Sequence, residues 1–157
     1  MTGARPAMDG TAFFDDLEVG QQWRFGRYEV TREEIVEFAR QFDPQPFHLD
    51  EAAARESLYG GLIASGWHTG AMFIRMVAEF MTPRVATQGA VGFDDLRWIK
   101  PVRPGDVLSV ESTVREKIES RQRPERGTVK IESRVLDQRG EPVMSLVSLV
   151  IVMRRPS

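Results

Sequence analysis

The chain has 157 residues, of which 41% are hydrophobic and 28% are charged, with a formal net charge of −2 and no cysteine. This length and composition fit a single globular domain with enough chain for a hydrophobic core. The near-neutral charge argues against a general nucleic-acid-binding protein, and the lack of cysteine excludes disulfides, cysteine-ligated zinc and a thiol nucleophile.

The first residues of the chain show no targeting signal. Residues 1–11 lack the apolar segment of a secretory signal peptide, and we expect them to form a flexible arm. Residues 12–157 show no internal repeat and no low-complexity tract, which indicates one domain. We therefore expect a cytoplasmic protein that binds neither nucleic acid nor a membrane.

An aromatic strand and an amphipathic helix come next along the chain. The segment from Gln22 to Val30 is rich in aromatic residues, as strands are. Residues 31–34 have the capping-box pattern, and apolar residues then recur at helical spacing. We expect this helix to end near Phe42, because a proline follows at position 44 and restricts the residue before it.

An acid and a base then occur close together in the segment Asp43-Pro44-Gln45-Pro46-Phe47-His48. The two prolines predict a stiff loop. Asp and His are the residue types that position and deprotonate a water molecule, so this segment is a candidate active-site element. The alternative is a proline-rich turn in which Asp43 is a cap and His48 is a surface residue.

A stretch without charged residues runs from Ser57 to Ile74. Its glycines and the Arg75 that follows argue against a membrane span. We expect a glycine loop leading into a helix from about Gly66 to Met81, with Ser65 as its N-cap. Apolar residues cover nearly every face of this helix, which predicts that the rest of the protein wraps it. The free N–H groups at its start could form an oxyanion hole at Gly66.

The second half of the chain predicts four strands. They cover residues 91–99, 107–118, 128–136 and 143–153, and proline or glycine marks the turns between the first two and the last two. The last strand is almost continuously apolar, as an interior strand should be. An antiparallel sheet packed around the long apolar helix gives an α+β architecture.

The acid–base segment, the loop Gly60-Gly61-Leu62-Ile63-Ala64-Ser65-Gly66 and the helix after it together resemble the MaoC-like dehydratases of the (R)-specific enoyl-CoA hydratase type. The segments Leu17-Glu18-Val19-Gly20 and 97–106 also resemble that family, so the resemblance covers about residues 14–155. It implies a hotdog fold, in which a sheet wraps a long central helix. It also implies a homodimer or a higher homo-oligomer that adds water to, or removes it from, an acyl thioester.

The resemblance implies roles for individual residues. Asp43 and His48 would carry the acid–base catalysis, with either one as the base, and the Gly66 N–H would stabilise the thioester oxygen. Coenzyme A would enter as part of the substrate, so we expect no cofactor and no metal. The expected substrate-binding residues are Gln45, which replaces the family's usual Asn, with Tyr59, Gly61, Ser65 and Trp67. Tyr59 and Trp67 could equally be plain core residues.

Two other functions fit the same fold. A hotdog thioesterase places its carboxylate on the central helix, where this sequence offers only Glu79, far from the helix start. A non-catalytic acyl-binding or assembly subunit would not need both Asp43 and His48. Their joint presence therefore favours the hydratase.

Several other polar residues are expected to be structural. We expect His68 to be a structural residue in the first turn of the apolar helix, and Arg103 to be structural as well. Arg121, Arg123 and Arg126 could bind the phosphates of coenzyme A, but a solvated turn is the favoured interpretation. Finally, the apolar last strand predicts a homodimer, because an open sheet cannot leave such a surface in water.

Overall fold

The computed structural model describes residues 11–157, so the predicted flexible arm at residues 1–11 lies outside the described part except for Thr11. The helical elements are a 3₁₀ turn at Phe14–Asp16, α1 at Arg32–Phe42, α2 at Pro46–Leu49, α3 at Glu51–Glu56 and α4 at Gly66–Met81. The strands are β1 at Gln22–Glu29, β2 at Thr87–Trp98, β3 at Val107–Glu119, β4 at Arg126–Leu136 and β5 at Pro142–Met153.

The five strands form one antiparallel sheet in the order β1-β3-β4-β5-β2. Helix α4 packs on this sheet, where its Met72 and Phe73 share a buried cluster with Val110 and Leu146. The predicted α+β architecture is therefore confirmed. The almost continuously apolar β5 is an interior strand between β4 and β2, as its sequence predicts.

Strands β3 and β4 show why only one face of the sheet is buried. Buried and partly exposed residues alternate along both strands, because successive side chains point to opposite faces. Val110 and Val135 face the core as a directly opposed pair. On the other face Arg134 forms a 3.0 Å ion pair with Glu111. The predicted wet face of β4 is thus confirmed.

Helix α4 is not wrapped on all sides, so that prediction is wrong. Five apolar side chains on α4 and its neighbours are exposed and line one open cavity; we call them the apolar strip: Phe42, Trp67, Ala71, Ile74 and Phe93. Trp67 is 63% exposed and Ile74 is 48% exposed. The sheet covers the face of α4 that carries Met72 and Phe73, and the apolar strip lies on a face that stays open.

The expectation that β5 would be the exposed apolar strand is also wrong. Both edges of β5 are hydrogen-bonded, to β4 and to β2, and most of its residues are buried or half-buried. The outer edge of β2 has no partner strand within residues 11–157. The surfaces that stay open to solvent in one chain are therefore the outer edge of β2 and the apolar strip, and not β5.

The connection after α1 is more regular than the predicted stiff loop. Pro46 begins the short helix α2, which ends at Leu49. Proline is favoured at a first helical position because its fixed φ suits the helix and its missing N–H would have no partner there. None of the helices within residues 11–157 has the length and apolar content that a bilayer-spanning segment requires.

Side chains cap the N-terminal ends of α1 and α3, and the cap of α1 matches the predicted capping box only in part. The Thr31 hydroxyl accepts a 3.2 Å hydrogen bond from the Glu34 N–H, as in a capping box. The Glu34 carboxylate instead accepts a 2.7 Å hydrogen bond from the Tyr28 hydroxyl, so only half of the predicted box forms. The Asp50 carboxylate caps α3, where it accepts a 3.1 Å hydrogen bond from the Ala53 N–H.

Candidate active site

Two neighbouring elements bring Asp43 and His48 together. Asp43 is the first residue after α1, and its N–H donates to the Ala39 carbonyl. One turn of helix, α2, then places His48 so that its Nε2 lies 3.3 Å from Asp43 Oδ2. The sequence predicts this acid–base pair, and the structure brings the two side chains into contact.

The His48 ring is held in one orientation by the backbone. Its Nδ1 lies 2.8 Å from the Ile63 carbonyl oxygen. A carbonyl can only accept a hydrogen bond, so Nδ1 carries a proton. Nε2 is then the nitrogen that faces Asp43; it is an acceptor in the neutral ring and donates to Asp43 Oδ2 when the ring is protonated. His48 is 4% exposed, which excludes the surface residue considered from the sequence.

Asp43 accepts two further hydrogen bonds. The Ser65 hydroxyl donates to Oδ2 at 2.6 Å, and the Gln45 amide donates to Oδ1 at 2.6 Å. The Ser65 hydrogen bond is the main influence that lowers the pKa of the Asp43 carboxyl below its ordinary value, against the opposing effect of desolvation. Gln45 and the neighbouring His48 lower the same pKa further. Asp43 is therefore an anion at neutral pH.

The prediction that Ser65 caps α4 is wrong. The side chain of Ser65 makes no capping hydrogen bond, because its hydroxyl is used by Asp43. Its carbonyl still accepts the first helical hydrogen bond, from the Thr69 N–H at 3.0 Å. Ser65 thus ties the start of α4 to the acid–base pair.

The start of α4 presents a free donor. Within residues 11–157 no backbone carbonyl accepts a hydrogen bond from the Gly66 N–H. Gly66 also lies under the indole of Trp98, whose Nε1–H donates to the Gly66 carbonyl at 2.9 Å. The N-terminal end of a helix carries a partial positive charge, so this N–H suits a developing negative charge.

These groups share one cavity of about 500 Å³. Most of the sequence-predicted site residues line it, namely Asp43, Gln45, His48, Tyr59, Gly66 and Trp67. Ser65 does not line the cavity but reaches Asp43 through its hydroxyl. Gly61 does not line it either, and the expectation that it binds substrate is not supported. A side chain at Gly61 would instead meet Arg103 Nη1 at 3.2 Å.

Sequence reasoning missed several residues of this cavity. The Ile63 carbonyl accepts the hydrogen bond that holds His48, and no sequence pattern predicts such a backbone contact. Thr69 faces the cavity one turn into α4. Lys100 also lines the cavity, where it forms ion pairs with Asp137 and Glu141. The Asp137 hydrogen bond is the main influence that raises the pKa of Lys100. Two carboxylates balance this ammonium, so it does not leave a free positive charge.

Residues expected to be structural lie outside the cavity. His68 is 5% exposed, stacks on Phe38 with 4.8 Å between ring centroids, and lines a separate cleft between α1 and α4. The Arg103 guanidinium donates to the Tyr59 carbonyl at 2.5 Å and so fixes the glycine loop. The arginines at positions 121, 123 and 126 do not line the cavity either. Within residues 11–157 no three acidic, histidine or cysteine side chains cluster as metal ligands.

The fold and the site can be compared with known proteins. Residues 16–135 match the family described as MaoC like domain. A MaoC-like dehydratase from Rhodospirillum rubrum superposes with a TM-score of 0.87 at 46% identity, covering 93% of this chain and 99% of that one. The (R)-hydratase PhaJ1 from Pseudomonas aeruginosa gives 0.73 at 30% identity, covering 92% and 86%.

A curated relative gives the same picture. The 3-hydroxybutyryl-CoA dehydratase of Methylorubrum extorquens is 33% identical over 113 residues, which is 71% of this chain and 69% of that protein. The antiparallel sheet around a central helix and the acid–base segment define a hotdog-fold protein of the hydratase and dehydratase class. The chain belongs to the MaoC-like family.

Proposed function

We propose that the protein hydrates an enoyl thioester, or dehydrates the corresponding 3-hydroxyacyl thioester, with trans-2-enoyl-CoA and (R)-3-hydroxyacyl-CoA as the substrate pair. One observation carries this proposal: Asp43 and a His48 of fixed orientation share a cavity with the free Gly66 N–H. Hydration needs a base for water, an acid for Cα and a donor for the thioester oxygen. The cavity supplies all three.

The two side chains have different roles, because His48 transfers the proton and Asp43 stabilises the charged form of His48. A water bound beside His48 Nε2 and Asp43 Oδ2, which lie 3.3 Å apart, donates to both atoms when the imidazole is neutral. Asp43 is the weaker base, since Ser65 and Gln45 stabilise its anion. His48 therefore takes the proton of the water while the oxygen forms its bond to Cβ.

The same proton completes the addition. As the oxygen adds to Cβ, the π electrons of the Cα–Cβ double bond move towards the thioester oxygen. The Gly66 N–H stabilises the resulting enolate-like charge. The His48 imidazolium then returns its proton to Cα on the face that received the water. The net change is addition of H and OH, and Asp43 stabilises the imidazolium between the two steps.

A thioesterase is less consistent with the site. Glu79, the one carboxylate on α4, pairs with Arg75 and does not line the cavity. The cavity therefore lacks the helix carboxylate on which a hotdog thioesterase depends. A non-catalytic acyl-binding subunit would have no use for the Ile63 carbonyl that fixes the protonated nitrogen of His48.

The substrate carrier and the chain length follow from similarity alone. The relative named 3-hydroxybutyryl-CoA dehydratase supports a short acyl chain on coenzyme A. We propose that the working form is a homodimer, because the apolar strip and the open edge of β2 adjoin each other and would otherwise face water.

One assay separates these functions. The protein is mixed with crotonyl-CoA, and the absorbance of the conjugated thioester is followed beside a thiol reagent. The chain has no cysteine, so any thiol signal comes from released coenzyme A. A hydratase removes the conjugated band without thiol release, a thioesterase releases thiol, and a binding subunit does neither. The proposal requires the first result and fails with either of the others.

A further inference from the structure

The indole of Trp98 covers the residue at which α4 begins. Its Nε1–H donates to the Gly66 carbonyl at 2.9 Å, and its edge meets the ring of Trp67 with 5.1 Å between centroids. A Cβ on Gly66 would lie 2.5 Å from Trp98 Cε2, closer than real Cβ atoms approach a neighbour. The absence of a side chain at position 66 therefore lets the indole lie on the backbone.

A β-bulge places Trp98 on this side of the sheet. Phe93 is opposite Ser148 and Trp98 is opposite Met144, so five steps along β2 match four steps along β5. If the same residues paired regularly from Phe93 onwards, Arg97 would be opposite Met144. Met144 faces the core that contains α4, and a one-residue shift exchanges the two faces of a strand. The bulge thus directs an indole, rather than the Arg97 guanidinium, towards Gly66.

The bulge contains a strained residue. Asp95 has φ of 53°, and it is the one residue other than glycine with positive φ within residues 11–157. Such a conformation is unfavourable for a residue with a Cβ and persists where the surrounding structure requires it. Bulges beside active sites commonly redirect a side chain. Here the redirected side chain is Trp98, which lines the cavity of Asp43 and His48.

The start of α4 needs a constraint of this kind. Ser65 gives its hydroxyl to Asp43, so α4 has no side-chain N-cap. The Trp98 hydrogen bond and its contact with the Gly66 backbone restrain the first helical peptide in place of a cap. The indole is 46% exposed, so it also forms a wall of the cavity beside the free Gly66 N–H.

We propose that Trp98, directed by the bulge at Asp95, is a positioning residue that aims the Gly66 N–H at the thioester oxygen. This inference rests on the proposed hydratase function. Trp98 does not transfer a proton. It acts through Gly66, and its loss should lower the rate of the chemical step more than it weakens substrate binding.

The first experiment compares Trp98→Phe with the wild-type protein. Phenylalanine keeps an aromatic ring over Gly66 but has no N–H for the Gly66 carbonyl. Misplacing a catalytic group by about 1 Å can cost roughly 10²-fold in rate, so for a smaller displacement we expect kcat for crotonyl-CoA to fall by about 10-fold. KM and the thermal melt should change little. Trp23→Phe is the matched control, since it makes the same change on β1, outside the cavity, and should keep the wild-type kcat.

A spectroscopic readout tests the oxyanion hole itself. The chromophoric thioester 4-dimethylaminocinnamoyl-CoA absorbs at longer wavelength when its carbonyl is polarised. Bound to the wild type it should show a red shift, and bound to Trp98→Phe it should show a smaller one. A general loss of stability would not produce this difference in a protein that still binds the probe.

The bulge and the face on which Trp98 lies are tested separately. Asp95→Gly should keep both the bulge and the activity, because glycine adopts this φ without strain. The double change Arg97→Trp with Trp98→Arg exchanges the two side chains and should move the indole to the other face of β2, away from Gly66. We expect kcat to fall at least as far as in Trp98→Phe.

The results distinguish two failures. An active wild type with an unchanged kcat and red shift in Trp98→Phe would overturn the positioning role and leave the hydratase in place. A wild type that hydrates no enoyl thioester would overturn the proposed function, and the role of Trp98 with it. A drop in kcat with reduced polarisation and an unchanged melt would support the inference.

Discussion

The Ser65 hydroxyl donates a 2.6 Å hydrogen bond to Asp43 instead of capping the helix that Ser65 precedes. This contact joins residues 22 positions apart and makes the start of α4 part of the acid–base site. It is the largest influence that lowers the pKa of Asp43.

Ser65→Ala should therefore shift the pH dependence of activity. Loss of the hydroxyl raises the pKa of Asp43, so the carboxylate is protonated at a higher pH than in the wild type. The part of the acidic limb of the kcat/KM profile for crotonyl-CoA that reports protonation of the Asp43 carboxylate should move to higher pH. Ser133→Ala is the control, because it removes another buried, hydrogen-bonded hydroxyl, which lies on β4 and outside the cavity. An unmoved limb in Ser65→Ala would show that this contact does not tune Asp43.

Gly66 and Gly70 should respond differently to alanine. A Cβ at Gly66 would meet Trp98, so Gly66→Ala should lower both kcat/KM and the melting temperature. A Cβ at Gly70 meets nothing within 4 Å, so Gly70→Ala should raise stability by up to about 1 kcal/mol. Equal losses in the two variants would contradict the assignment.

His68 should make the protein sensitive to mild acid. Burial is the main influence that lowers the pKa of His68, and His48 lowers it further while Glu34 opposes the shift. The unfolded chain then binds more protons than the folded chain once the pH falls below the ordinary histidine value of 6.5. Stability should decline from that pH towards the lower, folded-state pKa.

His68→Leu removes this titration and the buried Nδ1 that lacks a hydrogen-bond partner. Urea unfolding between about pH 7 and pH 5 should show a shallower loss of stability for His68→Leu than for the wild type. Parallel curves for the two proteins would show that His68 does not cause the acid sensitivity.

The apolar strip predicts the oligomeric state. Light scattering at micromolar concentration should give twice the 17.8 kDa mass of one chain. Ile74→Glu places a charge in the middle of the strip and should shift the protein towards the monomer. Val19→Glu is the control, because Val19 is also an exposed apolar residue but lies outside the strip. A wild-type monomer would contradict the proposal.

The sequence predicts the parts of the site that depend on local rules. Proline and helical spacing give the end of α1 and so the position of Asp43, and the uncharged apolar stretch gives α4. His48 is different. The sequence gives no sign that its Nδ1 contacts the Ile63 carbonyl, 15 residues away, or that the side chain is buried.

The roles of Ser65 and Trp98 could not be predicted from the sequence for the same physical reason. Ser65 satisfies the local preference for an N-cap, but Asp43 competes for its hydroxyl only in the folded chain. The role of Trp98 depends on one extra residue in β2, and strand propensity does not report a bulge. Local patterns therefore predict the elements, while contacts between distant segments decide what the side chains do.

The most direct test of the central claim is steady-state hydration of crotonyl-CoA by the wild type, Asp43→Asn and His48→Gln. Each change should lower kcat by more than about 10²-fold, at the lower end of what a positioned acid or base contributes. Asp43→Asn should remain folded. His48→Gln is used instead of alanine, because His48 is buried and its removal would leave the Ile63 carbonyl without a donor. Circular dichroism checks both folds, and Glu79→Gln should keep wild-type activity. Full hydratase activity in either Asp43→Asn or His48→Gln would contradict the account.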